Sequence, residues 1–389
     1  MKTRLVIVSS RFPYPLIKGD KLRLFHQIRF LAKEFSICLI SISDVEITDE
    51  EKSHLSPFCD EIHVFRLAKW KSIANCSVSF KDNLPIQVSY FYSKKIHKEI
   101  TGVIKSFDPK LAYFQLVRTA LYASDLNIPA VLDYMDSFST IAQRDASYSS
   151  ILRKIVFSIE ARRLRLFERK VLDWFEETTI ISENDKAELL NPTIHVITNG
   201  VDVNYFKPTK HGSTYDICFI GNLGYSPNQR AVNFLTNKII PKLKFKYPTL
   251  KVLIAGARPS QHILDLQNET IDVKADLKDI REAYSESKIF VAPIFTGAGQ
   301  QNKILEAMAM GLPCVTSTVV NSSIGASPDQ IKIGFSNTDF VNHSLSLLND
   351  VELYAKQRQH ALEFVKSQFS WDVQAQKLTS ILHSVLKDS

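Results

Sequence analysis

The 389 residues carry a net charge of +7 at pH 7 and 45% apolar side chains, which excludes a disordered or fibrous chain and suits two globular domains of roughly 100 to 200 residues each. The modest positive charge favours anionic partners, such as nucleotide diphosphates or a membrane surface, without calling for nucleic acid. No apolar run approaches the ~18 residues that span a bilayer, LVIV at Leu5–Val8 is too short for a signal-sequence core, and the five cysteines are scattered and never spaced as CxxC; the expected setting is cytoplasmic, with no disulfide framework, metal or cofactor.

In chain order, RLVIVS at Arg4–Ser9 reads as a strand. Pro13 and Pro15 then enforce a loop and Gly19 a turn, and Leu22, Phe25, Ile28, Leu31 and Ala32 recur at helical spacing before a second strand at Ser36–Ile42. This opening fits a doubly wound parallel sheet, with the Gly19 loop at the carboxyl end of the first strand, where such sheets bind ligands. Between Asp44 and Ile100 the pattern is less informative. Its KWK at Lys69–Lys71 and FYSKK at Phe91–Lys95 read either as a solvated face or as a membrane-facing one.

A strand at Lys110–Leu116 leads into Arg118, and VLDYMDSFS at Val131–Ser139 reads as a strand ending in Asp133 and Asp136. Those acids can hold sugar hydroxyls, or with Ser137 and Ser139 can cap the next helix; their spacing is not that of a metal-binding DxD pair. Ile151–Phe175 is helical by composition, with seven basic and two acidic residues between Ile151 and Lys170. It fits a surface helix lying on anionic lipid, or an ordinary two-sided helix in which Glu160 and Glu168 pair with neighbouring arginines. A strand at Thr178–Ile181 precedes a capping-box pattern at Ser182 and Asp185, Asn199 and Gly200 form a tight turn, and Pro208, Gly212 and the polar run between them read as a linker.

The next stretch repeats the plan: strand, glycine turn at Gly221 and Gly224, then a helix with Ser226 as cap and Pro227 at its first position. Strands follow at Leu250–Gly256 and Ile271–Ala275, then KIFVAPIF at Lys288–Phe295 and the stretch GAGQQNKILEAMAMGLP at Gly297–Pro313. A helix beginning there directs unpaired N–H groups and its positive dipole end at the strand's carboxyl end, which favours a phosphate, and glycine lets the backbone come close. Lys303 and Glu306 share one helix face, the lysine nearer the anion and the glutamate where hydroxyls can meet it; alternatively they are a solvated pair on an ordinary amphipathic helix. Cys314–Thr316 reads as a strand, and Gln357–Ser384 as helix broken near Phe369–Trp371.

The run QNKILEAMAMGLPCV resembles the donor-binding signature of retaining glycosyltransferases of family 4, which have the GT-B fold, and above all a bacterial polysaccharide-type subgroup carrying QNKxLEAMAMG. Further matches are the PxPxxKGDxxR loop (Pro13, Pro15, Lys18, Gly19, Asp20, Arg23), DxxDSxS at Asp133–Ser139, the E..RL..YER pattern at Glu160–Arg169, NGVD...F.P at Asn199–Pro208, and GxxxYxPN at Gly221–Asn228. The resemblance implies an α/β GT-B architecture of two Rossmann-like doubly wound domains facing a central cleft: an acceptor-side domain at 1–203 and a donor-binding domain at 204–370. The helix at 371–389 would pack back on the first domain, with Trp371 near the hinge.

It further implies that Gly19, Gly221, Asn222, Asn228, Gly299, Gln300, Gln301, Asn302, Lys303 and Glu306 bind the nucleotide-sugar donor, Lys303 gripping the diphosphate and Glu306 the ribose. Lys18, Asp20 and Arg23 lie toward the acceptor, and Arg23 reads equally as a solvated helix residue. Lys303, Asp136 and Arg118 are the catalytic candidates, Arg118 and its neighbour Gln115 by topology alone. The implied activity is sugar transfer, with retention, to a glycan or lipid-linked acceptor, at the inner membrane face if an anionic surface is a partner. Ala298 stands where many relatives have a glutamate, which keeps open a nucleotide-sugar epimerase or hydrolase of the same fold, or a noncatalytic nucleotide-sugar or membrane-surface binding protein.

Overall fold

The structure, a computed structural model, describes residues 2–70, 72–73, 75–76, 83–147, 150–209, 212–296 and 300–388. The chain divides into one unit of Met1–Thr198 with Gln374–Ser389 and a second of Asn199–Val373. Each is built on a wholly parallel sheet.

In the first unit β1 (Thr3–Ser9), β2 (Phe35–Ser43), β3 (Glu61–Arg66), β4 (Leu111–Gln115), β5 (Ala130–Asp133), β6 (Glu177–Ile180) and β7 (His195–Val196) lie in the order β3-β2-β1-β4-β5-β6-β7. In the second, β8 (Tyr215–Ile220), β9 (Val252–Gly256), β10 (Ile271–Ala275), β11 (Ser287–Ala292), β12 (Cys314–Ser317) and β13 (Lys332–Gly334) lie in the order β10-β9-β8-β11-β12-β13. Central strands such as β9 (VLIAG) are buried along their whole length and apolar, whereas edge strand β3 (EIHVFR) is polar and partly exposed. In β1, Val6 and Val8 enter one layer with Ile100 and Phe114, while Leu5 and Ile7 enter the other with Leu24, Ile28, Leu378 and Leu382, as alternation along a strand requires. Strand order reverses between β1 and β4 and again between β8 and β11, and loops leaving such a point diverge and open a crevice.

Two elements differ from the sequence reading. β11 stops at Ala292 rather than Phe295, because Pro293 has no N–H for the ladder. The second unit's first helix begins at Ser226 with Tyr225 as its cap residue, so Ser226 is not the cap.

In the helix Ile151–Lys170 both acids turn into the first unit. Both oxygens of Glu160 accept backbone N–H bonds from Ile86 and Gln87 at 2.9 and 3.0 Å, and Glu168 accepts from Ser139 N at 3.1 Å. The expected arginine partners are thereby replaced by backbone amides. The acids, with Ala161, Leu164 and Phe167, are buried. Ile151, Leu152, Ile155, Val156 and Ile159 are 47–81% exposed, and at about 100° per residue they form one stripe on the opposite side of the helix.

At the start of the second unit Val201 N donates to Phe369 O and Trp371 N to Val201 O. A Cβ on Gly200 would stand 2.6 Å from the Trp371 ring, so only glycine fits there.

Candidate functional site

Chemistry in the second unit gathers at the carboxyl ends of β8, β9 and β10, around a cavity of about 440 Å³ bounded by Gly221, Gly256, Asp276, Tyr284, Lys303 and Glu306. Its floor depends on two glycines. Gly256 has φ +150°, and a Cβ there would lie 1.6 Å from the Gly221 carbonyl oxygen; a Cβ on Gly221 would lie 3.0 Å from Lys303 Cε. The two strand ends and the lysine can approach only because neither position carries a side chain.

Lys303, one residue into the helix Asn302–Ala309, donates from Nζ to Asn228 Oδ1 at 2.8 Å and to Gln301 Oε1 at 2.9 Å. Both acceptors are neutral. Burial lowers its pKa to about 8, opposed by the charge of Glu306. One helical turn on, Glu306 Oε2 accepts from the hydroxyl of fully buried Tyr284 at 2.9 Å, and no described residue bonds its other oxygen. Burial raises the Glu306 pKa, against the Tyr284 hydrogen bond and the charge of Lys303. Asn228 is fixed from behind, donating from Nδ2 to Asn222 O at 2.8 Å. The structure thus brings Gly221, Asn222, Asn228, Gln301, Lys303 and Glu306 together, with the buried Asn302 Oδ1 lacking a partner among the described residues.

Other expected donor residues are differently employed. Gln300 is held to the Asn199 backbone, accepting from its N and donating to its O, each at 2.8 Å. The Asn222 side chain accepts from Gly224 N and so holds the turn. Gly299, with Gly297 and Ala298, lies outside the described residues, as does Lys71.

In the first unit Gly19 is the first residue of the helix Gly19–Leu31, with Lys18 as its cap residue. A Cβ on Gly19 would press Met135 Cε at 3.2 Å. Asp20 pairs with Arg11 at 2.6 Å, and its carbonyl takes the Gln115 amide at 2.9 Å. Arg23 corrects the sequence reading: it is fully buried, neither solvated nor turned to an acceptor. Its Nε donates to Asp133 Oδ2 at 2.7 Å and its Nη1 to Ile197 O at 2.8 Å. Burial would raise the Asp133 pKa, but Arg23, with Tyr113 and Thr179 donating at 2.9 Å each, brings it below the ordinary value. Asp133 is therefore a core carboxylate. Asp136 follows in a tight turn through Met135 at φ +60°, and burial, then the charge of Asp185, raises its pKa to about 6. Ser137 Oγ accepts from Thr140 N at 3.3 Å, the capping alternative. Arg118 lies with Arg11 and Lys18 at a separate cavity of the first unit.

Sequence reasoning missed Tyr284, Gly256 and Asp276. Asp276 and Arg258 hold left-handed backbone at φ 45° and 54°, and Asp276 Oδ1 accepts from Arg258 N at 3.0 Å. Strained residues of this kind collect at functional sites. A glycine ending a strand one position before a loop was a usable signal for Gly256; Tyr284 looks like any helix aromatic until β8 and the helix Asn302–Ala309 are set beside it. Cys38, Glu61 and His63 also bring three metal-type donor atoms within 4.8 Å, though sequence spacing gave no hint of it. Burial, with the charge of Glu61, pushes that thiol up to about 12.

Solved structures align with this architecture along nearly its whole length. A sucrose-phosphate synthase from Thermosynechococcus elongatus superposes with TM-score 0.68 at 12% identity, covering 99% of this chain and 100% of its own. A glycosyltransferase from Rickettsia africae does so with TM-score 0.68 at 15% identity, covering 100% of each chain. The chain has the GT-B fold. Another GT-B neighbour, Anabaena Alr3699/HepE in complex with UDP, gives TM-score 0.67 at 13% identity over 98% of this chain and 100% of that one. Residues 214–350 match the family model described as Glycosyl transferases group 1, a span that contains all six strands of the second sheet. An uncharacterized 44.6 kDa protein in a cps region of Klebsiella pneumoniae is 23% identical over 385 residues, 94% of this chain and 91% of the relative. Family match and GT-B fold together support glycosyl transfer.

Proposed function

We propose that this chain is a retaining, family 4-like glycosyltransferase that moves a sugar from a nucleoside diphosphate sugar to a glycan or lipid-linked acceptor in bacterial polysaccharide or glycoconjugate synthesis. The observation that carries the reading is Lys303 Nζ, drawn by Asn228 and Gln301 onto the glycine floor of the second unit's cavity. Departure of a diphosphate leaves negative charge to be stabilised, and a partly desolvated ammonium beside helix N-terminal amides does this better than water. Glu306 takes the ribose through the oxygen that Tyr284 leaves open. The segment at Asp276 and Leu277 walls the same cavity and is our candidate for contact with the base. UDP is the first nucleotide to test, since the Anabaena neighbour holds it. No protein nucleophile is assigned: the leaving phosphate accepts the acceptor's proton, and Asp136 is the first unit's candidate for assisting it. No metal or other cofactor is required by this scheme.

The reading includes work at the inner face of a membrane. The exposed apolar stripe from Ile151 to Ile159 continues into Arg162, Arg169 and Lys170, while both acids of that helix are buried. Apolar side chains can enter the headgroup region while the cations meet lipid phosphates.

Calorimetric titration with UDP, GDP, ADP, CDP and TDP tests the donor site, using the native chain beside Lys303→Ala and Glu306→Ala. Saturable binding of one nucleotide, weakened by both changes, supports the reading. No binding of any removes it.

A further inference from the structure

The first unit has a cavity of its own, of about 360 Å³, which the donor chemistry leaves unused. Arg11 and Lys18 reach it from the loop after β1, Asp44 from the loop after β2, and Arg118 from the 3-10 turn after β4. The helix Ile86–Phe91 closes it with Tyr90 and Phe91. The segments after β1 and β4 leave the sheet where its strand order reverses, the place at which open parallel sheets accept ligands. The volume falls within the roughly 300 to 1,000 Å³ of small-molecule pockets.

Three of the lining residues are cations and one is an acid. Asp44 accepts from the Tyr90 hydroxyl at 3.2 Å, and Arg11 is shared with Asp20. Lys18 is exposed, and among the described residues its ammonium has no partner. Arg118 is the unusual member. Its guanidinium lies between the Phe91 and Phe138 rings, 4.9 and 4.6 Å from their centroids. Nη2 donates to the neutral Gln87 Oε1 at 2.8 Å, whereas Nε and Nη1 are buried and have no hydrogen-bond partner among the described residues. Among the described residues no carboxylate bonds it directly, and although the charges of Asp20 and Asp44 offset it in part, the cavity lining as a whole holds more cations than acids. Burial and the charge of Arg11 lower its pKa only to about 10, so it is cationic at neutral pH.

We infer that this cavity binds the anionic group, a phosphate or a carboxylate, of a sugar-bearing ligand, with Arg118 and Lys18 taking the oxyanion and Tyr90 and Phe91 flanking the sugar ring. Aromatic faces suit the apolar side of a pyranose, and a planar guanidinium suits either oxyanion. If the chain is the transferase proposed above, that ligand is its acceptor, which is then an acidic or phosphate-linked sugar rather than a neutral one; the binding site itself does not depend on that reading.

The test is calorimetry on the full chain with glucose 1-phosphate, glucuronate, glucose and inorganic phosphate, in saturating UDP and again in Lys303→Ala so that the second unit's cavity does not contribute. At least one anionic sugar is expected to bind saturably and tenfold or more tighter than glucose. Arg118→Gln and Lys18→Glu are each expected to weaken it at least tenfold while leaving the UDP dissociation constant unchanged. Preference for glucose 1-phosphate identifies a phosphate-linked acceptor, and preference for glucuronate an acidic glycan. Equal binding of glucose, binding untouched by both variants, binding of inorganic phosphate as tight as of either sugar, or no binding of either anionic sugar overturns the inference. Circular dichroism checks folding, and if Arg118→Gln fails it, Lys18→Glu at its exposed position decides alone. Loss of UDP binding with anionic-sugar binding intact refutes only the donor site.

Discussion

Removing the Lys303 ammonium should separate nucleotide binding from stability. The group holds two short bonds to neutral amides in a partly buried cavity. A hydrogen bond to a charged group contributes about 1.5 to 3 kcal/mol, and 1.4 kcal/mol is a factor of ten, so Lys303→Ala should weaken UDP binding by about 10- to 150-fold. The pH dependence gives an independent reading of the same group. With a pKa of about 8, the ammonium falls from roughly nine-tenths protonated at pH 7 to about one-tenth at pH 9, and the UDP association constant should fall about tenfold over that window. Stability runs the other way. The folded pKa is below the unfolded value of 10.5, so the unfolded chain binds more protons between the two and folding becomes more favourable as pH rises through that range. Below pH 8 the buried ammonium opposes folding in full, and Lys303→Met should leave the thermal midpoint at pH 7 unchanged or higher. Calorimetric titration from pH 7 to 9 and thermal melts supply both measurements. UDP affinity that is flat with pH and indifferent to Lys303→Ala would refute the reasoning.

Gly256→Ala places a Cβ 1.6 Å from a backbone oxygen and should prevent the second unit from folding, whereas Gly325→Ala, at φ +71° with nothing within 4 Å, should cost only about 1 to 2 kcal/mol of left-handed strain; thermal melts compare them. Asp133→Ala strands buried Arg23, and urea denaturation should show the first unit losing about 3 to 5 kcal/mol. The folded Asp133 pKa lies below its unfolded value of 3.8, so the pair's contribution is present above that value and lost as pH falls through the folded one; acid titration of unfolding should shift upward in the variant. Tyr284→Phe frees Glu306 from its orienting bond and should weaken UDP binding by about fivefold, the effect of roughly 1 kcal/mol. Co-sedimentation of the native chain with anionic vesicles should fall with added salt and be abolished by Ile151→Asp with Ile155→Asp, exposed positions where folding is unaffected; retention of binding by that variant counts against the membrane face.

Much of the architecture was legible because buried parallel strands are apolar runs between turn residues. RLVIVS, VLIAG and KIFVA announce themselves in this way, whereas three-residue β13 has too few positions to show a pattern. The candidate site was legible where one helix turn carries the chemistry, as with Lys303 and Glu306. It was not legible where the meaning of a residue lies across the sheet. Arg23 and Asp133 are 110 residues apart, and nothing local distinguishes an arginine that faces a ligand from one that closes a core ion pair. The Gln300 contact was hidden for a related reason: its amide matches the Asn199 backbone in both donor and acceptor, a complementarity visible only once the two segments meet. For Glu160 and Glu168, abundant nearby arginines suggested side-chain pairing, but unpaired amides at Ile86, Gln87 and Ser139 were the acceptor-hungry groups inside the fold.

The first unit is discontinuous in sequence, and its apolar layer beneath β1 and β2 is completed by Leu378, Leu382 and Val385. A ribosome delivers residues in order, and domains fold as units while they emerge. The second unit, held within Asn199–Val373, has all its residues available before the first does. Of the two units, the one begun first is therefore the later to close, and until then one face of β1 and β2 needs shelter from other apolar surfaces.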